Sequence, residues 1–260
     1  MYVPKCVPTS FLHLICRHPI LVVPVAIGLL LGIPHFMNVP SCCLPEAMIT
    51  FTFDDGYLST YQYAYPILKK YGYVGTAFII PSLVGKEGYM NWAQITELYR
   101  NGWEIGSHSY THPHLTQLSL EDLEKELYLS KQNLERHGFY VISFASPYGE
   151  WDEKTIVAIK KYYLLHRTAW PSDLNPIPLP EKDRYYLKAV AADEISVEEV
   201  KQWIRKTKEE KKWLILIFHR VNEHKPQYNI SAEDFEEIVK FVHDLGFKGI
   251  RFNDLFAQAP

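Results

Sequence analysis

Residues 213–218, Trp213-Leu214-Ile215-Leu216-Ile217-Phe218, form an unbroken apolar run that ends on His219. A strand with one face in water alternates polar and apolar residues, so a run with no polar member belongs to a strand covered on both faces. Other apolar runs lie near 47–53, 75–80, 103–107, 141–145, 163–168, 185–191 and 248–252. Between them fall segments with helical periodicity near 57–71, 91–101, 119–137, 152–162, 196–210 and 231–245. Ser119, Ser196 and Ser231 precede acidic first turns and read as N-caps, with Glu199 and Asp234 placed to complete capping boxes. Repeated strand-helix alternation implies parallel pairing. The expected architecture is therefore α/β, a distorted (β/α) barrel of seven or eight mostly parallel strands. Roughly 210 residues after the N-terminal segment suffice for one such domain with a sizeable core.

In α/β folds of this kind the chemistry sits where strands end. The run Met48, Ile49, Phe51, Phe53 empties into Asp54-Asp55-Gly56. Two adjacent buried carboxylates repel and resist desolvation, and a metal resolves that conflict. The alternative is an ordinary turn with Asp54 as a helix cap. Further on, Trp103-Glu104-Ile105-Gly106-Ser107 leads to His108-Ser109-Tyr110-Thr111-His112-Pro113-His114. Pro113 biases His112 away from helix, so a strand end followed by a turn is expected, with the rings meeting only if the loop folds back. Asp55, His108 and His112 together offer two neutral nitrogens and one carboxylate, the ligand set of an open site for a divalent first-row metal. His114 is a spare candidate outside that set.

Three more strand ends carry polar residues. The run Val141 to Ala145 leads through Ser146 into Pro147-Tyr148-Gly149, a turn whose Tyr148 amide can face a developing oxyanion. Leu164-Leu165-His166-Arg167 ends in a cation. Period-two alternation puts Ile215, Ile217 and His219 on one side of their strand, where His219 is either a satisfied core residue or a proton-transfer group.

The chain resembles the polysaccharide deacetylases of carbohydrate esterase family 4, over about Ala47 to Phe256. The likeness rests on Thr52-Phe53-Asp54-Asp55-Gly56, on His108-Ser109-Tyr110-Thr111-His112 followed by Leu115, and on Ile215, Ile217 and His219, in matching order and spacing. Gly88-Tyr89-Met90-Asn91-Trp92 and Gly102 to Gly106 resemble the branch acting on exported poly-N-acetylglucosamine. The resemblance implies a metal-dependent hydrolase that removes N-acetyl groups from N-acetylglucosamine-containing polysaccharide by attack of a metal-bound water, releasing acetate. By the same resemblance Asp55, His108 and His112 hold a divalent metal, zinc in the first instance. Asp54 is then the general base, His219 the general acid, and the Tyr148 amide the oxyanion donor. Ile215, Ile217 and Trp170 line a pocket for the acetyl methyl group.

Two departures from the family pattern stand out. An arginine usually lies two residues before the proline of the third motif, where this chain has Ala145. Arg167 either supplies that cation to Asp54 from the next strand or is a solvated strand-end charge. The family's Asp-Trp pair, which orients the acid histidine, has no clear match; Asp173 and Trp170 occur nearby in the wrong order.

Residues 1–46 read as an export signal or membrane anchor and 47–257 as the catalytic domain. No charge occurs from Pro19 to Pro34, the stretch Ile20 to Ile33 is almost wholly apolar, and Lys5 and Arg17 precede it. Membrane association through residues 19–37 and an extracytoplasmic catalytic domain, anchored or secreted, are the corresponding expectations. All four cysteines (Cys6, Cys16, Cys42 and Cys43) precede the catalytic domain, which leaves it without a thiol. A net charge of -3 argues against a nucleic-acid surface. No protein partner is inferable. Two alternatives compete with the deacetylase: a non-catalytic glycan-binding relative, and a non-haem iron oxygenase with the same ligand set on an antiparallel jelly roll.

Overall fold

Across residues 46–169, 173–222 and 227–256, which the computed structural model describes, the apolar runs become strands. They are β1 (Met48–Phe53), β2 (Gly75–Ile79), β3 (Glu104–Ser107), β4 (Ser143–Ala145), β5 (Leu165–Arg167), β6 (Val190–Ala191), β7 (Trp213–Phe218), β8 (Arg220–Val221), β9 (Asn229–Ile230) and β10 (Lys248–Gly249). Seven of them follow one another in the order β5-β4-β3-β2-β1-β7-β6, with β10 added beside the start of β1. Every pairing is parallel, and the sheet curls into a half-barrel. That topology does not match the antiparallel jelly roll tied to the oxygenase alternative. The N-terminal segment expected over 1–46, apart from Glu46, lies outside the described residues, as do its apolar stretch at 19–37, all four cysteines and Trp170. Among the described residues no helix is long and apolar enough to cross a membrane.

The connecting helices are α1 (Tyr65–Lys70), α2 (Trp92–Arg100), α3 (Leu120–Arg136), α4 (Glu153–Tyr162), α5 (Val197–Glu210) and α6 (Ala232–Asp244). Ser119, Ser196 and Ser231 all accept the expected cap hydrogen bonds, but only Ser196 completes a box, with Glu199. Asp234, one methylene shorter than Glu, does not reach back to its cap. The segment expected as one helix over 57–71 opens instead with a wide π-type turn at Thr60–Ala64. Pro66, in the first turn of α1, has no N–H to give to a regular i to i-4 ladder. The strand expected over 185–191 shrinks to Val190–Ala191. Upstream of it, Glu181–Tyr185 forms a 3-10 turn. Leu187 bridges to Arg167 on one edge of the sheet while Val190 pairs with Leu216 near the other, so this segment spans the opening of the half-barrel.

Strand parity divides the core in two. Ile49, Phe51, Phe53, Ile105, Leu214 and Leu216 point outward and pack with helix residues such as Leu68, Leu127, Phe235 and Ile238. Phe78, Ala145, Leu165, Trp213, Ile215, Ile217 and Phe252 pack together inside the curl. Gly106 also faces inward. A Cβ there would stand 2.6 Å from the Phe78 ring, so glycine makes room for that ring.

Glu104 is buried at the start of β3 and ties distant segments together. It accepts hydrogen bonds from the Thr76 hydroxyl (3.1 Å), the Asn253 amide (2.9 Å) and the Ser143 hydroxyl. Burial pushes its pKa up from 4.5 to about 7, against the opposing pull of those donors. The folded state then holds a proton more tightly than the unfolded chain. This group's contribution to stability is complete below pH 4.5 and is lost as pH rises through 7, a change on the order of 3 kcal/mol. The drop in unfolding midpoint between pH 5 and pH 8 should be smaller in Glu104→Gln than in the unsubstituted protein; equal drops would exclude Glu104 as the source.

Candidate active site

Four strands of the sheet each place one polar side chain at the same end of the half-barrel. Alternation carries Thr50 and Thr52 to Asp54, Glu104 and Gly106 to His108, Leu165 to Arg167, and Ile215 and Ile217 to His219. All four side chains, with Asp55, His112 and Tyr148, line one cleft of about 270 Å³. The backbone around them is held in the left-handed region at non-glycine residues: Asp55 at φ 69°, Ser109 at 61°, His112 at 66° and Tyr148 at 58°. Such conformations cost about 1–3 kcal/mol each and persist where surrounding contacts impose them.

Those contacts are specific. Glu126 on α3 accepts from the amides of Tyr110 (2.9 Å) and Thr111 (2.8 Å) and from the Thr111 hydroxyl (2.7 Å), and the Ser109 hydroxyl accepts from the His112 amide at 2.9 Å. The loop therefore folds back and brings the His108 and His112 ring centroids to 4.8 Å. His108 Nδ1 lies 2.8 Å from the Ala145 carbonyl, which can only accept, so that nitrogen carries the proton and Nε2 presents a lone pair to the cleft. Burial lowers the His112 pKa to about 4 and keeps that ring neutral near pH 7.

Asp55 completes the group. Its Oδ1 is buried, has no hydrogen-bond partner, and stands 3.5 Å from Nε2 of both His108 and His112. Ligands bound tetrahedrally at 2.0–2.1 Å are separated by about 3.3 Å, so this spacing suits a small divalent cation. The donors of Asp55, His108 and His112 form a candidate metal site, all within 4.8 Å of one another. His114 lies outside it, pairing with Glu150 and stacking on the Tyr148 ring at 4.0 Å.

Asp54 occupies a different environment from its neighbour. Arg167 Nη2 donates to both of its oxygens, at 2.7 and 2.6 Å, with the two side chains buried. Burial raises the Asp54 pKa, but the charge and hydrogen bonds of the Arg167 guanidinium outweigh it and, with His219, hold the carboxyl below its usual range. Ala145 and Arg167 are direct register partners on β4 and β5. The guanidinium thus starts from the position beside the one the family pattern uses, and the small Ala145 side chain leaves it space. The Phe78 ring supports it from 5.1 Å.

His219 has a partner that the sequence reading missed. Asp193, two residues after β6, accepts from the His219 amide at 2.7 Å and lies 3.0 Å from Nδ1. Burial works to strip the ring of its proton, yet the hydrogen bond and charge of Asp193, with Asp54 and Asp55 adding to them, push the pKa up to about 9. Asp173, the acid singled out from the sequence, is elsewhere, beside Lys206 and Lys212. The available signal was an acid closing a short apolar strand, Val190-Ala191-Ala192-Asp193, the same pattern that marks Asp54. Glu194, not Trp, follows it. Ile217 lines the cleft with Ala169 and Ala191, whereas Ile215 is buried one inward step below and is not part of the lining.

Residues 42–164 match the family model described as polysaccharide deacetylase. The YxkH protein of Bacillus subtilis (strain 168), a polysaccharide deacetylase by name, is 35% identical over 119 residues, which is 45% of this chain and 42% of that one. The poly-beta-1,6-N-acetyl-D-glucosamine N-deacetylase of Staphylococcus aureus (strain MRSA252) is 28% identical over 178 residues, 61% of this chain and 59% of its own. The chain thus spans about half the length of these relatives. The Xyl-CE4 domain of a multidomain xylanase from the hindgut metagenome of Trinervitermes trinervoides has the same fold, with a TM-score of 0.58 and 23% identity over 81% of this chain and 90% of that one.

If Asp55, His108 and His112 form one site, the purified protein should bind one zinc ion per chain and His112→Ala should lose it while keeping its fold. Equilibrium dialysis with metal analysis reads the stoichiometry, and tight binding that survives His108→Ala, His112→Ala together would refute the assignment.

Proposed function

We propose that this chain, which matches the polysaccharide deacetylase family model over residues 42–164, is a polysaccharide deacetylase that hydrolyses N-acetyl groups of an N-acetylglucosamine polymer, releasing acetate. One observation carries the reading: two adjacent acids lie in separate environments, Asp54 gripped by Arg167 and Asp55 with its Oδ1 unpartnered between two imidazoles. Such a division suits one carboxylate to proton transfer and the other to metal binding. The two-nitrogen, one-oxygen donor set favours zinc. A divalent cation held by Asp55, His108 and His112 supplies Lewis-acid polarisation of the acyl oxygen and makes water acidic enough to react near neutral pH.

The remaining steps belong to the protein's own groups. Asp54, kept ionised and oriented by Arg167, accepts a proton from the attacking water as its oxygen bonds to the acyl carbon. The Tyr148 amide stabilises charge developing on the acyl oxygen. His219 delivers its proton to the nitrogen as the C–N bond breaks, leaving acetate and a free amine. Ile217, Ala169 and Ala191 provide the apolar wall for the acetyl methyl group. The S. aureus relative's named substrate supports a β-1,6-linked polymer as the first to test. Residues 19–37, apolar and preceded by Lys5 and Arg17, support a domain held or released outside the cytoplasm, where such a polymer is met.

Acetate release from N-acetylated β-1,6, chitin-type and peptidoglycan-type oligomers, by metal-stripped and zinc-replenished protein, tests the activity. Absence of release from all of them would favour the non-catalytic relative. Asp54→Asn should retain zinc yet lose about two to four orders of magnitude in turnover, the usual range for a missing general base; loss of the metal instead would make Asp54 a ligand.

The role of His219 predicts a pH effect with a definite sign. A general acid must be protonated, so activity falls as pH rises through its pKa. Asp193 is what raises that pKa, and Asp193→Asn should move the alkaline limb of the kcat profile to lower pH while leaving the acidic limb in place. A bound cation offsets part of the effect of Asp55 but does not alter the direction. An unmoved alkaline limb would exclude the Asp193–His219 pair from proton delivery.

A further inference from the structure

The carboxylates of the cleft are not alike. Asp54 is paired with Arg167, Asp55 faces two imidazoles, and Asp193 is committed to His219. Glu194 also lines the cleft, but its side chain makes no ion pair among the described residues and is exposed. Its position is set by the backbone, since Asp193 beside it is fastened to both the amide and the ring of His219 and its own amide lies 3.3 Å from the Ala191 carbonyl. Tyr228, a further lining residue, packs its ring 5.0 Å from that of His219. Glu194 therefore belongs to the part of the cleft that holds His219 and Tyr228. Partial loss of solvent inside the cleft and the neighbouring Asp193 raise its pKa, with His219 and the Tyr228 hydroxyl opposing them. A carboxylate in that state gains from an incoming cation.

The reaction changes the charge of the ligand on this side. An N-acetylglucosamine unit presents a neutral amide, and removal of the acetyl group leaves an amine that is protonated below neutral pH. We infer that Glu194 is a charge-selecting residue of the cleft, holding the ammonium group of glucosamine units so that a deacetylated sugar is retained more firmly than an acetylated one. The inference rests on the proposed deacetylase reading for the identity of the sugar. Its consequence is retention of product, and a preference for strands that already carry free amines.

The test compares two probes, a β-1,6-linked glucosamine trisaccharide and its fully N-acetylated counterpart, at pH 6.5 and low salt. Calorimetric titration is made on zinc-loaded protein carrying Asp54→Asn, so that the acetylated probe persists, with and without Glu194→Gln. The glucosamine probe should bind about tenfold more tightly than the acetylated one, a ratio typical of one partly solvated charge pair. Glu194→Gln should bring the ratio to about one, and Glu194→Lys should invert it. A ratio near one before substitution, or one indifferent to Glu194→Gln, would overturn the inference. The two readings fail separately: a Glu194-dependent ratio in a protein that releases no acetate leaves the inference standing and removes the hydrolase, whereas acetate release with an indifferent ratio does the reverse.

Discussion

The buried pair of Arg167 and Asp54 is the contact on which the rest of the cleft depends. Each charge loses several kcal/mol of hydration on burial, and only close, well-aligned contact returns it. Here one guanidinium nitrogen reaches both carboxylate oxygens, and the Phe78 ring backs the cation. Phe78 in turn needs the absent side chain of Gly106, and Arg167 needs the small one of Ala145 across the strand pair. A charge pair inside the half-barrel thus dictates residue size on β2, β3 and β4.

That pair also separates the chemistry of two neighbouring acids. With Arg167 satisfying Asp54, the Asp55 carboxylate turns away at positive φ and meets the imidazoles of His108 and His112. Neither ring donates to its Oδ1, which is buried without a hydrogen-bond partner. A buried carboxylate oxygen in this condition is costly until a cation arrives. The strain at Asp55, Ser109, His112 and Tyr148 belongs to the same arrangement, because short turns must point several side chains at one spot.

At the end of the neighbouring strand, beside Asp54, Asp193 and His219 form a second polar unit with the opposite bias. Arg167 lowers the pKa of an acid, and Asp193 raises that of a histidine, so the cleft holds an ionised base and a protonated group at the same pH. The proposed proton-acceptor role of Asp54 and proton-donor role of His219 both rest on this separation.

Much of this was determined by local sequence. Apolar runs without polar residues dictate doubly covered strands, serine caps followed by acids dictate helix starts, and period-two alternation dictates that Asp54 and His219 face the interior of the curl. Those are short-range consequences of backbone geometry and burial, and they made the fold, the donor set of Asp55, His108 and His112, and the candidacy of Arg167 legible. What the tertiary structure alone decided were the partnerships across distant segments: Arg167 with Asp54, Asp193 with His219, Glu126 with the histidine loop, and the exclusion of Ile215 from the cleft wall. Contacts between residues up to 113 positions apart depend on how strands are ordered and registered in the sheet, and pairwise register between strands leaves no mark in either segment taken alone.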